Sequence, residues 1–313
     1  MPGGRHKGNN IPQPREARRT TRAGPDASDP AHRETKTTSP HRKTKILSQN
    51  LRGGKSSDNT EDAGSTHMEI GRALNEFRRS KYQILFGQEH KIAAKHTKAV
   101  EDWADQLGLD IYIGTQDEEK AKGGSLIAIK RDMEGYEGST GGQMLEGRVT
   151  WANAKVDDEE WNLRSIYAPS ESSQTAKKNF IRALMAAETP SDEGAAPQKL
   201  IDQGSIIGGD FNCTASEAYD VKRQNPKKTK STDGAGSLLE SELAARGLTD
   251  TWRDQKGPRA FISTFTSAKG TQKRLDRFYM ARKRGRKANT TKDATYHTKT
   301  KGTRSDHTAI VLM

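Results

Sequence analysis

The sequence predicts an α/β domain built in layers, with mixed β-sheets inside and helices outside. Three observations carry that prediction. Short runs rich in Ile, Leu and Val recur from residue 46 to the end. Helical patterns lie between the early runs. Most of the runs stop at a polar residue from a small set: Asn, Glu, Tyr, Asp or His.

The runs are KILSQ, YQILFG, LDIYIG, SLIAIK, NLRSIYA, SIIGG, LDRFYM and HTAIVLM. Each suits a strand buried on at least one face. Ile70, Leu74 and Phe77 share a face in the first helical pattern; Ile92, Val100, Trp103 and Leu107 do in the second. Ala176, Phe180, Leu184 and Ala187 mark a third. A fourth helix is expected to open with Ser237 and Glu240 at capping-box spacing and to close at Gly247. The stretch from LIAIKRDMEG to NLRSIYA reads as hairpins. Segments 53–66 and 188–199, rich in Gly, Ser, Pro and acids, read as loops.

Composition narrows the function classes. The 313 residues suit one or two domains. Only 31% are apolar, so part of the chain is expected to lie outside a packed core. Cys213 is the one cysteine, which excludes an intrachain disulfide and fits a reducing compartment. No apolar run is long enough to span a bilayer, and the first residues lack the apolar core of a secretory signal. A nuclear or cytoplasmic location, with no membrane partner, is the expectation.

The net charge of +12 is unevenly placed. Residues 1–45 carry 11 Lys/Arg and 4 Asp/Glu, with 6 of the 11 prolines. They read as a disordered basic arm, over residues 1–44, ahead of a domain at 45–313. Residues 282–304 carry 9 basic residues and 1 acidic one. Taking both from the total leaves −3 on the rest, so a mildly acidic body bears two basic segments. They are either solvated tails or a grip for a polyanion, nucleic acid first; RKRGRK also has the make-up of a nuclear-localisation patch.

The polar residues at strand ends are Asn50, Glu89, Tyr167, Asp210, Asn212, Asp276, Asp306 and His307. Any one alone is explained by a turn, a cap or packing. Ligand sites gather where strand ends of an α/β sheet converge. If these converge, the set has a chemistry. Carboxylate and amide oxygens suit Mg²⁺ or Mn²⁺, and no cysteine cluster offers a zinc site. A histidine among aspartates suits a base or a phosphate-orienting group. Asn and Tyr donate to phosphate without adding charge. Together they fit metal-assisted phosphodiester hydrolysis. In SIIGGDFNCTA, Gly208 and Gly209 are expected to let backbone and phosphate approach closely. Phe211 is expected to enter the core, Cys213 to act as packing filler and Trp252 to be core.

The motifs ILSQNLRG, GQEH, SIYAPS, GGDFN, LTDTWRD, TFTS, RLDRFY and SDH, in that order from about Lys45 to Met313, resemble the endonuclease/exonuclease/phosphatase superfamily. That group includes deoxyribonuclease I, the exonuclease III-type apurinic endonucleases and the endonucleases of non-LTR (LINE-type) retrotransposons. The resemblance implies a four-layer sandwich, two mixed sheets packed face to face with helices outside. It implies that Glu89 is the principal metal ligand with Asn50 beside it and Asp306 in support. Asp210 would activate the attacking water or protonate the leaving group. Asn212 and Tyr167 would contact the phosphate, and His307 would bind it, oriented by Asp276.

Within the superfamily, Leu51–Arg52 after Asn50 departs from the acidic residue that apurinic endonucleases carry there. DTWRD, TFTS and RLDRFY resemble the retrotransposon branch, which implies DNA as substrate and a reverse transcriptase domain in the same element. The chain is then a truncated element, a solo domain or a fragment of a longer reading frame. Two alternatives stay open: action on inositol-phosphate or sphingomyelin headgroups, and a decayed DNA-binding remnant. Deleting residues 1–44 is expected to weaken DNA affinity and flatten its salt dependence, because fewer counterions are released. A fluorescence titration of DNA across salt concentrations checks this; an unchanged slope would show that the arm is no grip.

Overall fold

A computed structural model describes residues 44–51, 63–119, 123–171, 173–190, 197–223, 233–281 and 306–312. Residues 1–43 of the expected basic arm, 53–62 of the expected first loop and the 282–304 basic segment lie outside the described residues. The first half holds β1 (Ile46–Asn50), α1 (Ala63–Arg79), β2 (Ile84–Gln88), α2 (Thr97–Gln106), β3 (Leu109–Gly114), β4 (Ser125–Lys130), β5 (Tyr136–Met144), β6 (Val149–Val156) and β7 (Glu159–Tyr167). Then come α3 (Gln174–Ala186), β8 (Glu188–Thr189), β9 (Gln198–Lys199), β10 (Ser205–Asp210), α4 (Glu217–Asp220), β11 (Val221–Lys222) and α5 (Gly234–Ala245). The chain closes with β12 (Leu248–Asp250), α6 (Thr251–Lys256), β13 (Phe265–Thr266), β14 (Gln272–Lys273), β15 (Asp276–Ala281) and β16 (Ile310–Leu312).

Alternation along the strands builds the layers. The first sheet has the order β16-β1-β2-β4-β3 and the second β12-β15-β10-β7-β6-β5. Both are mixed: β1–β2 and β7–β10 are parallel, their other pairs antiparallel. Ile84 and Phe86 of β2 point inward and meet Leu163 and Phe278 of the second sheet in a central core. Phe86 and Phe278 lie 5.9 Å apart, ring to ring. Leu85 points the other way, onto Ile70, Leu74 and Phe77 of α1 and Val100 of α2. The second sheet's outer face packs Ile166 and Ile207 against Phe180, Leu184, Leu239 and Leu243 of α3 and α5. Three apolar layers separate four structural ones, as the four-layer sandwich requires.

Local details depart from the sequence reading. Helix α1 starts at Ala63, inside the stretch expected to be a loop, and a small β8–β9 pair closes the 188–199 segment. Helix α5 is capped by Asp233, whose carboxylate accepts from Gly236 N–H at 3.2 Å, so Ser237 lies inside the helix and is not its cap. Asp233 supplies the cap one turn earlier because it stands just ahead of the first helical residue with non-helical backbone angles, where its carboxylate meets the free N–H of Gly236. The expected close at Gly247 agrees with the structure: it follows the C-cap Arg246 in the left-handed region, at φ 76°, and its N–H donates to Ala244 O at 2.9 Å. Trp252 is half-buried and carries Lys256 over its ring at 5.9 Å, so it is no core residue.

The two glycines before Asp210 make room for packing. A Cβ on Gly208 would meet the rings of Phe278 and Phe86 at 2.4 and 2.7 Å. A Cβ on Gly209, at φ 146°, would meet the carbonyl oxygen of Ile166 at 2.0 Å. That neighbour is backbone of the parallel strand β7 and cannot swing aside. Gly209→Ala is therefore expected to destabilise by about 2 kcal/mol or more, within the range of strained or overpacked sites. Gly204→Ala meets only ordinary contacts at 3.4 Å and should be nearly neutral. Urea denaturation of both variants checks the contrast.

Candidate active site

Topology gathers the strand ends at one rim. Parallel strands β1 and β2 finish there with Asn50 and Gln88, and β16, antiparallel to β1, begins there. In the second sheet β7 and β10 finish there with Tyr167 and Asp210 side by side. Antiparallel β15 begins there, so Asp276 lies directly across from Asp210. A buried polar seam joins the sheets just beneath: Ser48 Oγ donates to Gln88 Oε1 at 3.4 Å, and Gln88 Nε2 donates to Ser165 Oγ at 3.2 Å.

Above that seam the side chains meet. Asn50 Nδ2 donates to Glu89 Oε2 at 3.3 Å and to Asp210 Oδ2 at 3.2 Å. His307 Nδ1–H donates to Asp276 Oδ2 at 2.8 Å, and its Nε2 lies 3.7 Å from Asp210 Oδ2. Asn212, at φ 47°, donates its backbone N–H to Asp210 Oδ1 at 3.0 Å and its Nδ2–H to Ala168 O at 2.9 Å. Lys91 Nζ lies 3.2 Å from Glu89 Oε1. Tyr167 is buried with the Arg148 guanidinium 5.8 Å from its ring centre. Asp306 adjoins His307, and its carbonyl accepts from Thr266 N–H at 3.2 Å.

No protein-family model matches the sequence, and no curated protein does. Solved structures do match in fold. An AP endonuclease from Archaeoglobus fulgidus superposes with a TM-score of 0.57 at 18% identity, over 86% of this chain and 98% of that one. The endonuclease domain of TRAS1, a telomere-specific non-LTR retrotransposon, gives 0.50 at 15%, over 86% and 96%. The 3′ phosphatase NExo from Neisseria, bound to a product DNA hairpin, gives 0.54 at 15%, over 86% and 98%.

The chain has the endonuclease/exonuclease/phosphatase fold.

On this endonuclease/exonuclease/phosphatase scaffold, the electrostatics of the rim follow from burial. Burial pushes the Asp210 carboxyl up to about 6, against the downward pull of His307. Burial alone would lower the His307 imidazole; Asp276 and then Asp210 outweigh it and lift the group to about 10. At neutral pH an imidazolium thus lies between two carboxylates. Burial, then Glu89 and Asp210, raise the Tyr167 hydroxyl, which keeps its proton and remains a donor.

Two donor sets could hold a divalent ion. Asp210, Asp276 and His307 offer atoms within 4.8 Å of one another. That set includes a protonated imidazole already bonded to Asp276, and an imidazolium cannot ligate. Glu89 with the amide of Asn50 is an all-oxygen set, which fits Mg²⁺ or Mn²⁺ better.

The sequence reading missed two residues that support this rim, His90 and Thr264. His90 is fully buried: its Nδ1 accepts from Ile92 N–H at 3.0 Å and its Nε2 lies 3.0 Å from Gly114 O and 3.2 Å from Ser125 O. It locks the turn in which Glu89 sits at φ 53°. Thr264 Oγ1 accepts from both Leu275 N–H at 2.8 Å and Asp276 N–H at 3.0 Å. Thr264 O accepts from Thr308 N–H at 2.7 Å, so TFTS stitches Asp276 to the His307 segment. The motifs GQEH and TFTS contain both residues, but their partners lie far away in sequence. Nuclear magnetic resonance of the metal-free protein should show His307 charged until about pH 10 and His90 neutral down to about pH 4, where burial sets its pKa. His307→Asn and His90→Gln spectra assign the signals; a His307 midpoint near the ordinary 6.5 would contradict the paired geometry.

Proposed function

We propose that this chain is a divalent-metal-dependent phosphodiesterase that nicks one strand of DNA and leaves a 3′-hydroxyl. One observation carries the reading. The row Asp276–His307–Asp210 meets Asn50 and Glu89 at a single rim, through the bonds of Asn50. Structural ion pairs alone do not explain why two buried carboxylates, an imidazolium, two carboxamides and a tyrosine face one place. The DNA-bound Neisseria neighbour supports DNA as the substrate class by analogy of fold.

Glu89 and Asn50, with Asp306 in support, would hold Mg²⁺ or Mn²⁺. The bound ion would neutralise charge on the phosphate. The remaining work falls to the chain's own groups. Asp210, lifted to about 6, exchanges a proton readily near neutral pH. It takes one from the attacking water or returns one to the leaving 3′ oxygen, and solvent exchanges the other proton. The water oxygen bonds to phosphorus as the bond to that 3′ oxygen breaks. The His307 imidazolium faces the phosphate with its Nε2–H, held by Asp276 at Nδ1. Tyr167 O–H and the Asn212 amide add neutral donors for the charge that develops.

The retrotransposon branch, with a reverse transcriptase domain encoded in the same element, is the finer reading. It is supported by DTWRD, TFTS and RLDRFY and by the likeness to TRAS1. The reading as a decayed DNA-binding remnant is disfavoured because every expected position carries a chemically competent side chain.

A supercoiled-plasmid assay tests the activity. Nicking is expected with Mg²⁺ and none with EDTA. Glu89→Ala, Asp210→Asn and His307→Ala should each lose roughly 10²-fold or more, the size of one general acid–base or electrostatic contribution. Full nicking by Glu89→Ala, or in EDTA, would sink the reading. Turnover of inositol-phosphate lipids without DNA cleavage would move the substrate to small headgroups.

A further inference from the structure

The turn after β10 carries Asp210 and Asn212, and two successive carbonyls in it are each held by a cation from a different layer. Lys177 of α3 donates Nζ–H to Asn212 O at 2.5 Å. Arg277 of β15 donates Nη2–H to Cys213 O, and the same nitrogen lies 3.0 Å from Arg274 O. Its Nη1 donates to Tyr279 Oη at 3.3 Å, and Tyr279 O–H donates to Glu240 Oε1 at 2.5 Å.

Arg277 is an unusual tenant. Strand alternation turns it away from Asp276 and into the layer between the second sheet and its helices, beside Phe211 and Tyr279. It is 1% exposed. Burying a guanidinium is costly, and an apolar side chain of similar volume often serves stability as well or better. A role beyond packing accounts for its presence. Its neighbours indicate which: it fastens the residue after Asn212 to the strand that begins with Asp276. Lys177, half-buried on the helix, fastens Asn212 itself. Both pull carbonyls toward the helix layer and away from the rim. The Asn212 N–H is then turned to meet Asp210 Oδ1, and the residue stays at φ 47°.

We propose that Lys177 and Arg277 form a two-cation clamp of positioning residues that holds Asp210 and Asn212 in register with Asp276 and His307. The proposal rests on the phosphodiesterase reading for its catalytic consequence but not for its geometry.

The test uses the full chain and the variants Lys177→Met, Arg277→Met, Lys177→Arg and Arg277→Lys. In plasmid nicking with Mg²⁺, each Met variant should lose on the order of tenfold in kcat with KM within about twofold, as for small misplacements of reacting groups. The conservative variants should recover most of it. A merely structural role would lower the melting temperature and leave kcat of the folded protein intact. Independently of activity, amide hydrogen exchange at Asn212, Cys213 and Thr214 should quicken roughly tenfold or more in the Met variants, with β7 unchanged. Wild-type kcat in both Met variants, or unchanged exchange, overturns the clamp. If the wild-type chain cuts no DNA, the function reading fails and exchange alone decides. Should Arg277→Met not fold, Lys177→Met, on the helix surface, is the deciding variant.

Discussion

Two carboxylates, Asp210 and Asp276, face each other across the β10–β15 pair, both nearly sealed from water. Burial and the neighbouring Asp276 each raise the cost of ionising Asp210. The rim is built around the cation that relieves it. His307 enters from the other sheet, bonds Asp276 and comes within 3.7 Å of Asp210. The last strand, β16, must therefore return antiparallel to β1 at the same end as β10. Thr264 and Thr308 must hold the histidine segment against the start of β15. The ion triad thus ties the two sheets together at one point and accounts for the order of several loops.

The same constraint explains why the second sheet carries so much buried charge behind the rim. Arg274 Nε bonds Asp220 Oδ1 at 3.0 Å and its Nη1 bonds Asp250 Oδ1 at 3.2 Å. Asp250 also caps α6, accepting from Trp252 N–H and Arg253 N–H. With Arg253, Arg277 and Glu240 this makes three guanidiniums and three carboxyl groups of small exposure. Removing one member would leave its partners buried and uncompensated. The network anchors residues 274–277, which bracket Asp276, to α4, α6 and the turn after Asn212. A site that must keep two carboxylates close needs such a rigid base, because small shifts change both their repulsion and their distance to the imidazolium.

How far the sequence disclosed this depends on the range of the interaction. The strands were legible because buried strands are short apolar runs, and all eight quoted runs became strands. The residues of the rim were legible as a list because each interrupts an apolar run with a functional group. Their contacts were not legible, since Asn50 to Asp210 spans 160 residues and depends on how two sheets face each other. Local chemistry misled where two signals competed. Ser237 has capping-box spacing, yet Asp233 caps α5. Gly208 and Gly209 have the look of a phosphate cradle; their missing side chains also make room for Phe278 and for the β7 backbone. Lys177 and Arg277 gave no signal, because a basic residue on a helix or in a strand reads as solvated until its acceptor is known.

The division of labour between the sheets follows from their edges. The first sheet brings Asn50 and Glu89, an all-oxygen pair suited to a hard cation, and by way of the segment before β16 it brings His307. The second brings Asp210, which titrates, Tyr167, which donates, and Asp276, which accepts from His307. Asn50 is the hinge between them, because its one amide nitrogen reaches Glu89 and Asp210 at once. An aspartate there would set a third carboxylate beside two others and push Asp210 further up. An amide gives the same reach with no charge and donates to both neighbours. The choice of Asn over Asp at the end of β1 therefore keeps Asp210 within reach of neutral pH, and it does so from the opposite sheet.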